Sequence, residues 1–265
     1  MARPVIALLS DFGLRDHYVA AMKGVMLGVC PDATLVDLSH DVPPHDVRAG
    51  ARLLASCYAY FPVGTVFVAV VDPGVGSARR GLAADVGDYR LVGPDNGLLS
   101  AVFAERPPIR VVELSERKYA RPTISRTFEG RDRFAPAAAW LAKGVALTSL
   151  GRALARYERL EWAAPVEMAD GLAGVVDHVD RFGNLVTNLD RTRVERLARG
   201  GAIDVRVAGR QVPRLVGTYS DAASGDLCAL FGSTDHLEVA VNGGHAAEQL
   251  QAGPGSPVEV WRSGL

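Results

Sequence analysis

The N-terminal part of the chain alternates between short apolar runs and longer amphipathic stretches. The stretches 5–9, 34–40, 65–72 and 90–96 predict strands, and the continuous apolar run of the first predicts a strand that is buried on both faces. Apolar residues recur at helical spacing over three further stretches, 16–30, 46–61 and 134–144. Strands that alternate with helices predict an α/β domain of three layers, with a mainly parallel sheet covered by helices.

The pattern changes near residue 165. Beyond this point the segments are short and β-like, glycine-rich turns separate them, and only 191–200 has helical character. The predicted strands are 172–180, 184–189, 202–209, 227–232, 236–242 and 256–261. This pattern predicts a small antiparallel, barrel-like domain. We therefore predict two domains, residues 1–165 and residues 166–265.

Composition narrows the classes of function. A formal net charge of -1 argues against a general nucleic-acid or membrane-surface partner. The three cysteines, Cys30, Cys57 and Cys228, form no CxxC pair, which predicts reduced thiols in the cytoplasm. The first apolar run is too short for a signal peptide, and no run reaches the ~20 residues of a membrane span. The six histidines form no HxH or HExxH motif, so we predict no metal site.

Acidic residues follow three of the predicted strands. Asp11 follows the first strand, Asp72 ends the third, and Asp95 with Asn96 ends the fourth. Parallel sheets build their sites at the carboxyl ends of strands. Each acid taken alone also fits a turn or a helix cap. Three of them at one edge of a sheet favour a shared site.

Asp72 opens a glycine-rich stretch, VVDPGVGSARRG (70–81), which also carries Arg79 and Arg80. The stretch lacks the GxGxxG spacing of dinucleotide-binding loops, and the chain contains no GxxxxGK[ST] motif. Its glycines therefore predict a tight turn near a ligand rather than a phosphate cradle. The charged residues fit either a solvated rim or a site that handles charge.

Two other stretches leave alternatives open. TFEGRDRFAP (127–136) fits an ion-paired helix start with Asp132 as its cap, and it also contains the acid Glu129. HVDRFGNLVTNL (178–189) fits a hairpin turn. Its Asp180 and Asn184 equally suit an amino-acid ligand, with the acid on the ammonium and the amide on the carboxylate.

Seven stretches resemble, in the same order, those of one family. They are DFGLRDHYVAAMKG, CPDATLVDLSHDVPPHDV, VVDPGVGSARR, GPDNGLL, TFEGRDRFAP, DRFGNLVTN and GSTDHLEVAVN. The family is the S-adenosyl-L-methionine (SAM) hydroxide adenosyltransferases, also called adenosine-forming SAM hydrolases, which are related to SAM-dependent fluorinases and chlorinases. The resemblance covers nearly the whole chain. It implies an N-terminal SAM-binding α/β domain, a C-terminal β-barrel-like domain, and a homotrimer with each ligand between domains of neighbouring subunits.

The resemblance also implies the site residues. Asp72 and Arg79 match two members of the family's Asp-Arg-His catalytic trio, and Glu129 stands where the histidine is expected. Asp11 matches the acid that holds the ribose hydroxyls. The other implied substrate-binding positions are Phe12, Asp16, Asn96, Thr127, Phe128, Asp180, Asn184, Ser233 and Asn242. Of these, Asp180, Asn184 and Ser233 match the methionine end, and the segment around Asn242 matches the adenine.

The implied reaction is attack of water or hydroxide on the ribose 5′ carbon of SAM, which is the substrate, so no cofactor is implied. Asp72 would act as base, and Arg79 would hold it. Glu129 has two interpretations: it pairs with Arg79 or Arg131 and orients the trio, or it adds a second carboxylate that raises one pKa of the pair. We expect retained hydrolysis. The alternative is a non-catalytic SAM- or adenosine-binding protein in which Glu129 replaces the histidine.

Overall fold

The computed structural model describes residues 3–263. The chain divides between Leu160 and Glu161 into two compact units. Among the described residues, no helix has both the length and the apolar character that crossing a membrane requires.

The first unit is built on one six-stranded sheet. Its strands are β1 (Val5–Ser10), β2 (Thr34–Ser39), β3 (Val66–Val70), β4 (Gly81–Asp85), β5 (Arg90–Pro94) and β6 (Arg110–Glu113). Their order is β2-β1-β3-β5-β4-β6. The β2-β1-β3-β5 part is parallel, whereas β4 runs antiparallel to β5 and β6. The predicted mainly parallel sheet is confirmed, and β4 and β6 are additions that the sequence pattern did not predict.

Helices cover both faces of this sheet. They are α1 (Tyr18–Val29), α2 (Val47–Cys57), α3 (Ser100–Glu105) and α4 (Ala135–Ala142). Successive strand residues point to opposite faces, so β1 sends Ile6 and Leu8 into a core with α1 and α4. It sends Ala7 and Leu9 into a second core with α2 and α3. These two cores account for the continuous apolar runs and confirm the predicted three layers.

The second unit is an eight-stranded antiparallel sheet. Its strands are β7 (Val166–Met168), β8 (Gly171–Val179), β9 (Leu185–Asp190), β10 (Ile203–Val207), β11 (Arg210–Val212), β12 (Leu227–Phe231), β13 (His236–Val241) and β14 (Pro257–Arg262). The order is β11-β10-β14-β8-β9-β13-β12, with β7 beside β8. The short helices α5 (Arg191–Ala198) and α6 (Ala246–Leu250) complete the unit.

The long strand β8 makes this sheet barrel-like. Its first half, from Gly171 to Val175, pairs with β14. Its second half, from Val176 to Val179, pairs with β9, with a register shift between Val176 and His178. The strand therefore passes from one half of the sheet to the other around a single apolar core. The predicted antiparallel, barrel-like domain is confirmed.

Candidate active site

The first unit brings three acidic residues to one edge of its sheet. Strands β1, β3 and β5 are parallel neighbours, so their carboxyl ends lie side by side. Asp11 follows β1 directly, Asp72 lies two residues beyond β3, and Asp95 follows β5 directly. This is the edge at which parallel α/β sheets bind ligands.

Asp72, Arg79 and Glu129 form one buried cluster. Nε of Arg79 donates a 2.8 Å hydrogen bond to Oδ1 of Asp72, and Nη2 donates to Oδ2 of the same carboxylate. The same Nη2 atom donates to Oε2 of Glu129 at 2.6 Å. The three side chains are 5% (Asp72), 10% (Arg79) and 11% (Glu129) exposed. The fork of one guanidinium thus holds one carboxylate by two bonds and reaches a second.

The electrostatics of this cluster favour a proton acceptor at position 72. Burial raises the pKa of Asp72 above its usual value, and Glu129 adds to the rise, while the hydrogen bonds from Arg79 oppose it. Burial alone would lower the pKa of Arg79, but its bonds to Asp72 and Glu129 outweigh burial and raise it. The guanidinium therefore stays charged, and Asp72 is a stronger base than an ordinary carboxylate.

A tight turn returns Arg79 to Asp72. The amide of Val75 donates to the carbonyl of Asp72 at 3.2 Å, and Ser77 Oγ donates to the carbonyl of Gly74 at 2.7 Å. Gly76 has a positive φ of 79°, and a Cβ there would collide with the carbonyl oxygen of Arg126. The predicted tight turn is present, and Gly76 meets both of its steric demands.

Replacing Gly76 by alanine is expected to destabilise the protein by about 1–3 kcal/mol, because the new Cβ is strained at this φ and meets backbone. The matched control is Gly24→Ala. Gly24 lies exposed inside α1 with no neighbour near its added Cβ, so this change should stabilise by about 0.5–1 kcal/mol. Urea unfolding measures both. Equal midpoints for the two variants would contradict the role of Gly76.

Asp95 and Asn96 are engaged with the scaffold. Asp95 is buried and accepts hydrogen bonds from Arg80 Nε at 2.8 Å and from the amide of Glu158 at 2.8 Å. Asn96 donates from Nδ2 to the carbonyl of Val71 at 2.9 Å. Asn96 therefore fixes the residue just before Asp72, and its predicted contact with substrate stays a prediction.

Glu129 is the N-cap of a π-helical turn, Gly130–Phe134, which leads into α4. Asp132 lies inside this turn rather than at its cap. It is fully buried and accepts hydrogen bonds from Arg131 Nε at 2.7 Å and from the amide of Ser125 at 2.8 Å. Arg131 thus pairs with Asp132. Of the two partners predicted for Glu129, Arg131 and Arg79, it is Arg79 that binds Glu129. Burial disfavours ionised Asp132, but these donors outweigh burial and lower its pKa.

Aromatic side chains gather next to this segment. The Phe128 ring lies 5.9 Å from that of Phe12 and 5.1 Å from that of Tyr18, and His17 stacks on Tyr18 at 4.6 Å. The sequence reasoning selected Phe12 and Phe128 but missed His17 and Tyr18. His17 caps α1 and Tyr18 is its first residue, so their position at the start of the first helix, close after the first strand, was the available signal.

The other predicted residues of this unit lie at the surface or near it. Asp11 accepts a 2.9 Å hydrogen bond from the amide of His45 through Oδ2. Asp16 is exposed in the loop before α1. Thr127 is exposed, and its Oγ1 lies 3.2 Å from Ser125 Oγ.

A chain of polar groups, buried at Ser10 and His40 and exposed at Asp37, braces the loop that carries Asp11. Ser10 Oγ lies 2.7 Å from Nδ1 of His40, whose Nε2 lies 3.0 Å from Oδ1 of Asp37. The amide of Phe12 also donates to Ser10 Oγ at 3.3 Å. Ser10 is 1% exposed, so this Ser-His-Asp chain serves structure rather than nucleophilic attack. The sequence reasoning missed it, although His40 ends the predicted strand that neighbours β1.

In the second unit, Asp180 and Asn184 hold each other. Oδ1 of Asp180 accepts from the amides of Phe182 at 2.8 Å and Asn184 at 2.9 Å, and Asn184 Nδ2 donates to Oδ2 of Asp180 at 2.9 Å. Gly183 between them has a positive φ of 84°. The turn interpretation therefore describes this segment between β8 and β9, and recognition of an amino acid here stays a prediction.

Ser233 and Asn242 flank β13. Ser233 is exposed in the turn between β12 and β13. Asn242 donates from Nδ2 to the carbonyl of Ala222 at 2.7 Å, and its amide donates to the carbonyl of Asp226 at 3.1 Å. Asn242 thus ties the end of β13 to the preceding loop.

Known proteins match both units. The family model described as the SAM hydroxide adenosyltransferase N-terminal domain matches residues 6–151, and the C-terminal domain model matches residues 174–259. A protein of Salinispora tropica named (R)-S-adenosyl-L-methionine hydrolase is 42% identical over 260 residues, or 97% of each chain. A protein of an Actinoplanes species named fluorinase is 33% identical, and the match covers 98% of each chain.

A solved structure agrees with the fold. It is that of an uncharacterized conserved protein from Thermotoga maritima, with a TM-score of 0.92 and 35% identity, and the match covers 97% of this chain and all of the other. Family models on both units, a relative above 40% identity and this shared fold lead to one conclusion. The chain belongs to the SAM hydroxide adenosyltransferase family.

Proposed function

We propose that this protein hydrolyses SAM to adenosine and L-methionine. The observation that carries the proposal is the buried Asp72 carboxylate, held by both nitrogens on one side of Arg79 at the carboxyl edge of the sheet. Family membership and the 42% identity to an (R)-S-adenosyl-L-methionine hydrolase support it.

The chemistry is a displacement at the ribose 5′ carbon. A bond forms between the oxygen of water and the 5′ carbon, and the bond between that carbon and the sulfonium sulfur breaks. The electron pair of the broken bond goes to sulfur, so methionine leaves as a neutral thioether and needs no general acid. The water gives up one proton, and the products are adenosine, methionine and that proton.

The protein must therefore orient one water molecule and accept its proton. We assign proton acceptance to Asp72, whose burial raises its pKa, and we assign the fixed orientation of that carboxylate to Arg79. Glu129 accepts from the same Arg79 nitrogen, Nη2, that also binds Asp72, and it stands at the place of the family's histidine.

Substrate contacts are assigned by resemblance and supported by position. Asp11 lies at the carboxyl edge with Asp72 and is proposed to hold the ribose hydroxyls. Phe12, Thr127 and Phe128 are proposed to line the nucleoside pocket, with Asp16 and Asn96 nearby. The methionine end is assigned to Asp180, Asn184 and Ser233, and the adenine to the backbone around Asn242.

The assembly is also a proposal. We propose a homotrimer in which each substrate lies between the N-terminal domain of one subunit and the C-terminal domain of a neighbour, on the basis of the resemblance. Light scattering tests the trimer. We further propose that SAM needs no cofactor here, since its sulfonium already activates the carbon, and that the protein works in the cytoplasm, where its three unpaired cysteines stay reduced.

A product assay tests the proposed function. Purified protein with SAM should release adenosine and methionine in equal amounts, and a reaction without protein corrects for spontaneous decay of SAM. Bound SAM or adenosine with no methionine release over hours would contradict hydrolysis and favour a non-catalytic binder. Binding alone raises the midpoint of thermal unfolding, so that case is recognisable.

High chloride concentration is expected to leave the product unchanged. A carboxylate at position 72 repels a halide ion and accepts a hydrogen bond from water, so adenosine should remain the nucleoside product. Mass spectrometry against an authentic standard measures 5′-chloro-5′-deoxyadenosine. Its enzyme-dependent formation would contradict the assignment of Asp72.

A further inference from the structure

We propose that Arg133 is a positioning residue of the hydrolytic centre, supplying the counter-charge that lets a glutamate at position 129 orient Arg79. The inference rests on the proposed function and deepens it. Arg133 belongs to none of the sequence-predicted site residues, and it does not touch Asp72 or Arg79 by any hydrogen bond or ion pair of the described residues.

The two oxygens of Glu129 face two different guanidinium groups. Oε2 accepts the 2.6 Å hydrogen bond from Arg79, and Oε1 lies 3.4 Å from Nη2 of Arg133. Glu129 and Arg133 stand four positions apart: Glu129 caps the π-helical turn, and Arg133 lies inside it. Each oxygen of the carboxylate thus has its own cation, which fixes the plane of the carboxylate as well as its position.

Packing holds Arg133 in this place. A Cβ on Gly81 would lie 3.2 Å from Cδ of Arg133 and 2.7 Å from the ring of Phe134, so the glycine at the start of β4 leaves room for the Arg133 stem. Nε of Arg133 is buried, with no hydrogen-bond partner among the described residues. The guanidinium thus faces Glu129 although its Nε donor is unsatisfied. An unsatisfied buried donor costs free energy, so we infer that the charge beside Glu129 is the reason for this placement.

Charge balance supplies the reason. Asp72 and Glu129 carry two negative charges, and Arg79 supplies one positive charge between them. Arg133 supplies the second and brings the four-residue cluster to zero. A neutral histidine at position 129 would add no charge, and the charges of Asp72 and Arg79 would then balance each other. Burying a net charge is unfavourable, so a glutamate there requires a fourth group.

Three other charged residues lie near this cluster. Arg117 and Arg126 line, with Glu129 and Arg133, an open cleft of about 390 Å³. Glu116 lines a small void beside Arg133. Among the described residues, Glu129 forms its ion pairs with Arg79 and Arg133 only. Arg117 therefore provides a matched control, since it is a cation of the same cleft that forms no ion pair with Glu129 among the described residues.

The test measures the pH dependence of kcat/KM for SAM in Arg133→Gln, Arg133→Lys and Arg117→Gln. Without the Arg133 charge the cluster becomes net negative and takes up a proton at higher pH. The acidic limb should therefore move up by about one pH unit in Arg133→Gln. Because Glu129 also loses one of the two groups that orient it, kcat near neutral pH should fall about 10-fold, with KM within about 2-fold. Arg133→Lys should restore most of the profile, and Arg117→Gln should match the unchanged protein.

A second arm places Arg133→Gln in a Glu129→His background. Since histidine needs no counter-charge, the effect of Arg133→Gln on kcat should shrink there to within about 2-fold. Equal effects in both backgrounds, or an Arg133→Gln profile that matches Arg117→Gln, would overturn the inference. Absence of adenosine from the unchanged protein would sink the proposed function instead. Urea midpoints of the single and double variants provide a readout without catalysis, and additive shifts would also overturn the inference.

Discussion

Replacement of Asp72 by asparagine is expected to lower kcat for adenosine formation by about 10²–10⁴-fold, the usual contribution of a general base. Asparagine keeps the shape of the side chain but cannot accept the proton of the attacking water. Its amide also presents a donor to Arg79, where the carboxylate accepts two hydrogen bonds. Steady-state release of methionine measures the effect, with SAM at saturating concentration.

Asp88→Asn is the control for this change. Asp88 is an exposed acid in the same unit, paired with Arg106 and distant in the sheet from the carboxyl edge of β3. Its replacement should leave kcat unchanged. Full turnover of Asp72→Asn, with the fold intact by circular dichroism, would remove Asp72 from the reaction.

Replacement of Arg79 by glutamine is expected to lower the free energy of unfolding by about 3–5 kcal/mol at neutral pH, the usual effect of removing one partner from a buried ion pair. The change leaves the Asp72 carboxylate, 5% exposed, without its cation. Activity should fall as well, because the base loses its fixed orientation. Urea unfolding at two pH values gives the measurement.

The pH dependence of this loss has a definite sign. The pKa of Asp72 is already raised by burial, and removing Arg79, which opposes the rise, raises it further. A group whose folded pKa exceeds its unfolded value adds stability at low pH and loses it as pH rises through the folded pKa. The deficit of Arg79→Gln should therefore shrink as pH falls from 7 towards 5.

Arg152→Gln is the matched control. Arg152 is largely exposed and pairs with Glu113, so its removal should cost only ~0–1 kcal/mol, as surface ion pairs usually do. A deficit for Arg79→Gln that is no larger than this, or that grows on acidification, would contradict the buried cluster.

The sequence could predict the frame of the molecule because its strands bury both faces. Alternate residues of β1 enter two different cores, which requires an uninterrupted apolar run and makes the strand easy to identify. The strands β4 and β6 also send residues into both cores, but the sequence pattern did not predict them. GLAAD at β4 contains small residues with weak strand propensity, and only the packed sheet around it makes it a strand.

The candidate site divides in the same way. The position of Asp72 and Arg79 follows from a strand end and a tight turn, both of which are local in sequence. The pair of Glu129 with Arg79 joins residues fifty positions apart. Arg131, the other partner predicted for Glu129, pairs with Asp132 instead. Such choices depend on tertiary packing. Ser10 and His40, thirty positions apart, were missed for this reason.

Glu129 combines both interpretations that the sequence left open. It pairs with Arg79, as the first interpretation requires, and it also contributes to the raised pKa of Asp72 as a second buried carboxylate. These effects do not oppose catalysis. A base with a raised pKa, still held by a charged guanidinium, accepts a proton more readily near neutral pH.

The most direct test of the account is the reaction of SAM in water enriched in ¹⁸O. If Asp72 directs solvent to the ribose 5′ carbon, the adenosine formed should carry the heavy oxygen at its 5′ hydroxyl, and the methionine released should carry none. Adenosine without the label, or a nucleoside that still contains sulfur, would contradict attack by water at that carbon.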